Sequence, residues 1–257
     1  MQDNDKTGEG AARPGGPTDN PLILKLESLA ALSDDDRAVL ERISAKPRLV
    51  PAGTDLIREG DKPDGVYLIL DGIACRYKLR ASGTRQIMAY LVPGDYCDLD
   101  VALLNAMDHA IGTLSACQVV RIDLATIQGL LQSHPGITRA MRLATLVDEA
   151  TLREWLVNVG RRSAEERIAH LMCELRLRLR AVGRTEGDSY TFPVTQIDLA
   201  DTTGQTPVHV NRILRSLRQQ GLIELSRRQL QILDLPRLEA LAEFRPNYLH
   251  LGGRDAA

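Results

Sequence analysis

His209, Arg212, Arg215 and Gln219 recur at intervals of three to four residues on one side of a helical repeat, with no acidic residue among them. Imidazole, guanidinium and amide groups in that arrangement can hydrogen-bond base edges and phosphates. Val210, Ile213, Leu214 and Leu217 fall on the other side and are expected to pack inward. Two local signals frame this helix. Thr195-Gln196-Ile197-Asp198 is a capping box opening a short helix that runs through Leu199 and Ala200 and breaks at Gly204. Thr206 then reads as an N-cap and Pro207 as the first helical residue, where a missing N–H costs nothing; the helix continues to Gln220 and stops at Gly221. Two short helices joined by a glycine-containing turn of about four residues form a helix-turn-helix. The following segments, Leu222 to Leu225 and Leu230 to Leu233, flank Arg227-Arg228 and read as a β-hairpin with a basic tip. A helix-turn-helix followed by a hairpin is a winged helix, which lays its second helix in the major groove of duplex DNA.

On this reading Arg212 is the candidate for a bidentate contact to guanine and His209 a second base-edge candidate. Arg215, Arg227 and Arg228 fall to phosphate, as do Thr195, Gln196 and Thr206 through hydroxyl, amide or helix-terminal N–H groups. The charge distribution points the same way. Between Arg161 and Leu230 there are 12 Arg against 8 acidic residues, a balance of +4, whereas the remaining 20 basic and 26 acidic residues give −6. Arg176, Arg178 and Arg180 within that span read as a solvated helix face.

The elements that position this unit lie upstream. A chain of 257 residues suggests two domains and can bury a core without disulfides or metals. Residues 1–20 carry almost no large apolar side chain and read as a disordered tail. Leu22, Leu26 and Leu29, then Val39, Leu40 and Ile43, have helical spacing, with Ser33 and Asp34 to Asp36 marking a helix start. From Pro47 to Ile122 short apolar runs alternate with Gly, Pro and Asp turns, predicting eight or so strands in a β-sandwich or barrel. Past Pro135 a helix of about 20 residues, near 30 Å long, carries Leu143, Leu146, Val147, Ala150 and Val157 on one stripe, extended by Leu152, Trp155, Leu156 and Val159. That apolar surface is wider than one neighbour covers, so a partner helix is expected. Gly160 then Ser163 read as a stop and a new N-cap, and a helix from Ala164 to Val182 ends at Gly183. The resulting division is a tail at 1–20, a β domain with flanking helices at 21–135, a dimerisation helix at 136–160, a winged helix at 161–245 and a C-terminal tail at 246–257.

Several function classes are excluded or weakened. Cys75, Cys97, Cys117 and Cys173 never form a Cys-x-x-Cys pair, which argues against zinc ribbons and thioredoxin-like sites. They fall in apolar settings, where free cysteine behaves as a small hydrophobe. No apolar run approaches the ~18 residues of a membrane span and the N-terminus has no secretory pattern, so a reducing cytoplasm is the expected home and no membrane partner is expected. The competing reading is a cupin-like ligand-binding or metal-dependent enzyme with an accessory helical domain. It would need a His-x-His plus carboxylate cluster on the barrel, yet of the five His only His109 lies there. No Gly-x-Ser-x-Gly, P-loop or Gly-x-Gly-x-x-Gly occurs, so no catalytic residue and no metal site is assigned.

Across residues 45–235 the chain resembles the Crp/Fnr family of bacterial transcription regulators. In the first half the likeness rests on Gly53, Glu59-Gly60-Asp61, Tyr67-x-Ile69-x-x-Gly72 and Pro93-Gly94-Asp95. In the second it rests on Leu199-Ala200, Gly204, Val210, Arg212, Leu214 and Gly221-Leu222-Ile223. The resemblance implies an α+β chain: an N-terminal cyclic-nucleotide-binding-like β-roll (a jelly roll), a long dimerisation helix and a C-terminal winged helix-turn-helix. It also implies a homodimer on pseudo-palindromic double-stranded DNA, with RNA polymerase as a further partner. The family's recognition arginine falls on Arg212, and the preceding readout position, often Glu in relatives, is Val208. The nucleotide pocket departs from the family. Where relatives carry a Gly-Glu pair this chain reads Asp98-Leu99, and where they carry Arg-Ser it reads Met107-Asp108, followed by His109. A carboxylate beside the expected phosphate with no Arg to pair it opposes binding, so cyclic AMP is not the expected effector. No cysteine precedes Cys75, so the iron–sulfur branch is not expected; no cofactor is assigned, and an effector of another kind stays open.

Overall fold

The computed structural model describes residues 18–99 and 103–251. Most of the tail expected at 1–20 lies outside the described residues. Thr18 and Asn20, which were included in it, are instead tied to the fold: Thr18 Oγ1 donates to Glu41 at 2.9 Å, and Asn20 caps the first helix by accepting from the Leu22 amide.

Two short helices open the chain, α1 (Pro21–Glu27) and α2 (Asp34–Ser44). The second begins at Ser33 with a reciprocal capping box to Asp36, so its start is dictated by two residues three positions apart. Seven strands follow within the described residues: β1 (Arg48–Val50), β2 (Asp55–Ile57), β3 (Gly65–Asp71), β4 (Ala74–Leu79), β5 (Arg85–Leu91), β6 (Ala110–Thr113) and β7 (Cys117–Asp123). They form two antiparallel sheets, β1-β7-β3 and β2-β6-β4-β5, enclosing Val66, Leu68, Ile111 and Val119. Eight or so strands were expected. The segment around Tyr96 runs beside β3 without forming a strand of its own, through a bridge between Leu68 and Tyr96 and backbone bonds of Gly94 and Asp95 to Ile69 and of Cys97 to Tyr67.

That turn, Pro93-Gly94-Asp95, joins three parts of the molecule. Gly94 holds φ +90, and a Cβ there would meet the Pro21 carbonyl oxygen at 2.4 Å, so only glycine lets the turn seat against α1. The buried Asp95 carboxylate accepts from Lys25 Nζ of α1 at 2.6 Å, from Arg178 at 2.6 Å and from the Val92 amide at 2.7 Å. Burial alone would raise its pKa, but the two cations outweigh burial and hold it below the usual carboxylate range.

Beyond the sheets come α3 (Leu124–Ser133) and the long α4 (Pro135–Arg161), 27 residues or about 40 Å. It runs past Gly160, the expected stop, to Arg161; the chain breaks at Arg162, and Ser163 caps α5 (Ala164–Ala181) with Glu166 as partner. The remaining elements are β8 (Ser189–Thr191), α6 (Gln196–Thr203), α7 (Pro207–Gln219), β9 (Ile223–Ser226), β10 (Gln229–Ile232), α8 (Leu235–Leu241) and a 3-10 turn (Pro246–Leu249). β8, β10 and β9 make a third antiparallel sheet.

Two expectations fail at the C-terminus for one reason. Residues from Pro246 onward were assigned to a tail, but Tyr248 and Leu249 are buried in the core formed by α4, α5 and the winged helix. The same segment covers part of the predicted dimerisation stripe. Ala150 is buried in that core, and Val147 lines a small cavity with Leu249 and Leu251. Apolar surface on α4 that remains open is Leu146, Leu152, Leu156, Val157 and Val159, with Leu143 half-buried, and Trp155 turns inward to donate to Glu174 at 2.9 Å.

Candidate nucleic-acid interface

The capping residues build α6 and α7. Thr195 accepts from the Asp198 amide and Asp198 accepts from the Thr195 amide, closing the box that starts α6. Gly204 ends it at φ +67, Thr206 caps α7 by accepting from the His209 amide, and Pro207 occupies its first turn. Val210, Ile213, Leu214 and Leu217 are buried against the domain core, which fixes the rotation of α7. Val208, His209, Arg212, Arg215 and Gln219 are left exposed.

Pairing separates the cations of the interface from the rest. Arg176 is buried and bound to Asp188, and Arg178 is bound to Asp95 and Glu174. The solvated helix face expected there is thus confined to Arg180; Arg178 satisfies the buried Asp95 and Glu174, which would otherwise be stranded, and the buried Arg176 is itself satisfied by the more exposed Asp188. Arg212, Arg215, Arg218, Arg227 and Arg228 are exposed, and among the described residues no carboxylate pairs with any of them. Unpaired guanidinium groups on α7 and at the hairpin tip present their donors to solvent and to whatever docks there.

Gln196, Pro207, Val208, Asn211, Arg212 and Arg215 line a shallow groove of about 390 Å³ beside α7. Asn211 lies outside the cationic pattern of the sequence; its place one turn after Val208 is the signal that sets it on the same face. Thr195 is corrected in the other direction. Its hydroxyl donates to Asp198 at 2.6 Å and its amide to the same carboxylate at 2.9 Å, so neither donor is free for a phosphate.

α6 is held on the β-roll. Arg85 of β5 donates to Asp201 at 2.7 Å and also binds Asp198, while the Tyr90 and Thr202 hydroxyls meet at 2.6 Å. Ile73, Cys75, Ile87 and Tyr90 consequently share one core with the winged helix. All four cysteines are buried; burial pushes the Cys75 thiol up to about 12 and raises the others, which disfavours the reactive thiolate.

The residues of the altered pocket part company. Leu99 and Met107 are buried core side chains, Asp108 is exposed, and Asp98 faces His109 and Arg76. Among the described residues no group of three or more His, Cys, Asp or Glu is placed to hold a metal ion, and no helix is long and apolar enough to cross a membrane.

The fold and this face define a class: a DNA-binding regulator in which a winged helix-turn-helix is packed on a β-roll of the cyclic-nucleotide-binding type. The family signature for the Crp-like helix-turn-helix domain matches residues 166–241, and that for the cyclic nucleotide-binding domain matches residues 47–134. The regulator flp of Lacticaseibacillus casei is 30% identical over 82% of this chain and 93% of its own. The nitrogen fixation regulation protein FixK of Bradyrhizobium diazoefficiens is 29% identical over 84% of this chain and 91% of its own. Among solved structures, FixK2 from Bradyrhizobium japonicum superimposes with a TM-score of 0.67 at 21% identity, covering 76% of this chain and 96% of that one. The chain belongs to the Crp/Fnr family of transcription regulators.

Proposed function

We propose that this regulator binds a pseudo-palindromic duplex as a homodimer and does so without cyclic AMP. The carrying observation is the unpaired cationic face of α7 and the hairpin, set against the carboxylate-paired arginines behind it. Arg212 reads guanine, the exposed Val208 suits a thymine methyl group, and His209 is within the same reading face. Arg215, Arg227 and Arg228 meet phosphate together with Gln196 and Thr206. Leu146, Leu152, Leu156, Val157 and Val159, open on α4, supply the partner helix contact that sets two recognition helices about one DNA turn (~34 Å) apart. Contact with RNA polymerase follows from membership of the family, as does a cytoplasmic setting.

The test is selection of bound sequences from a random duplex pool, with and without cyclic AMP. Enrichment of an inverted repeat in the absence of nucleotide supports the reading. Enrichment only with nucleotide overturns the independence from cyclic AMP, and enrichment of single half-sites overturns the dimer.

A further inference from the structure

Arg85, at the start of β5, reaches the DNA-binding unit without facing DNA. Its guanidinium donates from Nε to Asp201 Oδ2 at 2.7 Å and from Nη2 to Asp198 Oδ1, carboxylates 116 and 113 residues further along the chain. The two acceptors stand three positions apart on α6, hence on one face of that helix. On the other side the guanidinium lies over the Tyr77 ring, 5.9 Å from its centre, and the Tyr77 hydroxyl donates to Asp55 of β2 at 2.6 Å. Arg85 is thus held by the β-roll at one end and grips α6 with the other.

What it grips leads to the recognition face. Asp198 closes the capping box of α6 with Oδ2, which accepts from the Thr195 amide and hydroxyl, and gives its other oxygen to Arg85. Gln196, two residues earlier, lines the groove beside α7 with Val208 and Arg212. Leu199 and Ala200 of α6 share one core with Val210 and Leu214 of α7, so a tilt of α6 carries α7 with it. The other polar ties between β5 and α6 converge on one residue: the Tyr90 hydroxyl meets the Thr202 hydroxyl, and Gln86 Nε2 donates to the Thr202 carbonyl at 3.2 Å. One residue is a pivot. Arg85 adds two further points toward the start of the helix and removes the freedom to turn about it. Its side chain is 26% exposed, so this tie sits at the rim of the joint between β-roll and winged helix. Val208, His209, Arg212 and Arg215 stay exposed with the tie in place, so the contact aims α7 and does not cover it.

We propose that Arg85 is a positioning residue for DNA recognition: by tying α6 to β5 it sets the angle at which each subunit presents α7, and with it the half-site spacing that the dimer accepts. The spacing rests on the homodimer proposed above; the tie within one chain does not. Two binding units held at a fixed separation lose little freedom on docking and reject sites at the wrong separation, whereas loosely joined units lose more and reject less.

The test cuts the tie from each side. R85Q removes the charged fork and keeps most of the stem; D201N removes one carboxylate and leaves the capping residue Asp198 untouched. Parent, both variants and their double are titrated against the inverted repeat recovered by duplex selection, against the same repeat with one or two base pairs added or removed between half-sites, and against an isolated half-site. The parent should prefer its own spacing by about tenfold or more, and each variant should weaken about three- to tenfold there, keep half-site affinity within about twofold and show a flattened spacing profile. The double variant should bind no more weakly than R85Q, because both substitutions cut one tie. Pulsed dipolar spectroscopy reads the joint itself, from nitroxide labels at Leu49→Cys on β1 and Val208→Cys on α7, with the labelled protein diluted in unlabelled protein. Both positions are exposed and all four native cysteines are buried, so the labels go to the introduced thiols. The distance distribution should be broader in R85Q and D201N than in the parent. A parent-like distribution in both variants overturns the positioning role, and so does a parent-like spacing profile or an equal loss on half-site and full repeat. A parent that binds only single half-sites overturns the dimer instead, and the distance distribution then decides for or against the tie.

Discussion

The hairpin tip allows a trade between stability and DNA affinity to be worked out in advance. Ser226 and Gln229 pair across β9 and β10, leaving Arg227 and Arg228 as a two-residue turn with φ +48 and +65. Positive φ at both central positions is the geometry of a type I′ turn, for which Asn-Gly is the favoured sequence. Holding L-residues in that region costs roughly 1–2 kcal/mol each. Asn relieves part of that cost, while Gly adds unfolded-state entropy of about 0.5–1 kcal/mol. The double substitution Arg227→Asn with Arg228→Gly should therefore stabilise the protein by about 1–2 kcal/mol, or roughly 2–8 °C in Tm. The two arginines are exposed and pair with no carboxylate among the described residues, so little native contact is lost with them. Their proposed role as phosphate contacts sets the opposing effect. Losing two phosphate contacts should reduce the slope of log affinity against log salt by about 1.8 and weaken binding to all duplexes alike. Thermal unfolding and fluorescence anisotropy across a salt series measure the two effects. A variant that is less stable refutes the strain argument; an unchanged salt slope refutes the phosphate assignment.

Four further outcomes follow from the same geometry. Arg212→Ala should remove about 1–3 kcal/mol of discrimination at one base position while leaving the fold intact, and unchanged base preference in a binding assay would remove Arg212 from the reading face. Leu156→Arg, at a position 76% exposed on α4, should convert the proposed dimer to monomer in analytical ultracentrifugation without lowering Tm; a parent protein of monomer mass, or an unaltered dimer mass, counts against the proposed α4 contact. Asp95→Ala strands Lys25 and Arg178 and should cost about 3–5 kcal/mol, measured by chemical denaturation, with a loss below 1 kcal/mol counting against the buried triad. His170 is fully buried among Trp155, Phe244 and Tyr248, and burial lowers its pKa to about 3. Because the unfolded imidazole takes up a proton near pH 6.5 and the folded one does not, this group costs stability as pH falls below that value. The loss should reach about 2 kcal/mol between pH 7 and 5 and be absent in His170→Phe. His109, raised by Asp98 and Asp108 against the effect of burial, acts in the opposite sense, so the difference between the two proteins, rather than either slope, isolates His170.

What the residue order determined by itself was local. Ser33, Ser163, Thr195 and Thr206 announce helix starts because a cap is a hydrogen bond between neighbours three positions apart or fewer. The buried face of α7 was legible for a similar reason, since Val210, Ile213, Leu214 and Leu217 follow the period of one helix. Membership of the family was also readable, because turns such as Pro93-Gly94-Asp95 demand particular residues at particular steps. Tertiary structure decided which charges are spent and which remain. Arg176 and Arg178 look no different from Arg212 and Arg215 in the sequence, yet the first two are consumed by Asp188, Asp95 and Glu174. It also decided that Tyr248 and Leu249 cover part of α4, and that Arg76 reaches Asp98 from a strand more than 20 residues away. Desolvation and charge pairing act between groups that meet only once the chain is folded, and no local spacing rule records them.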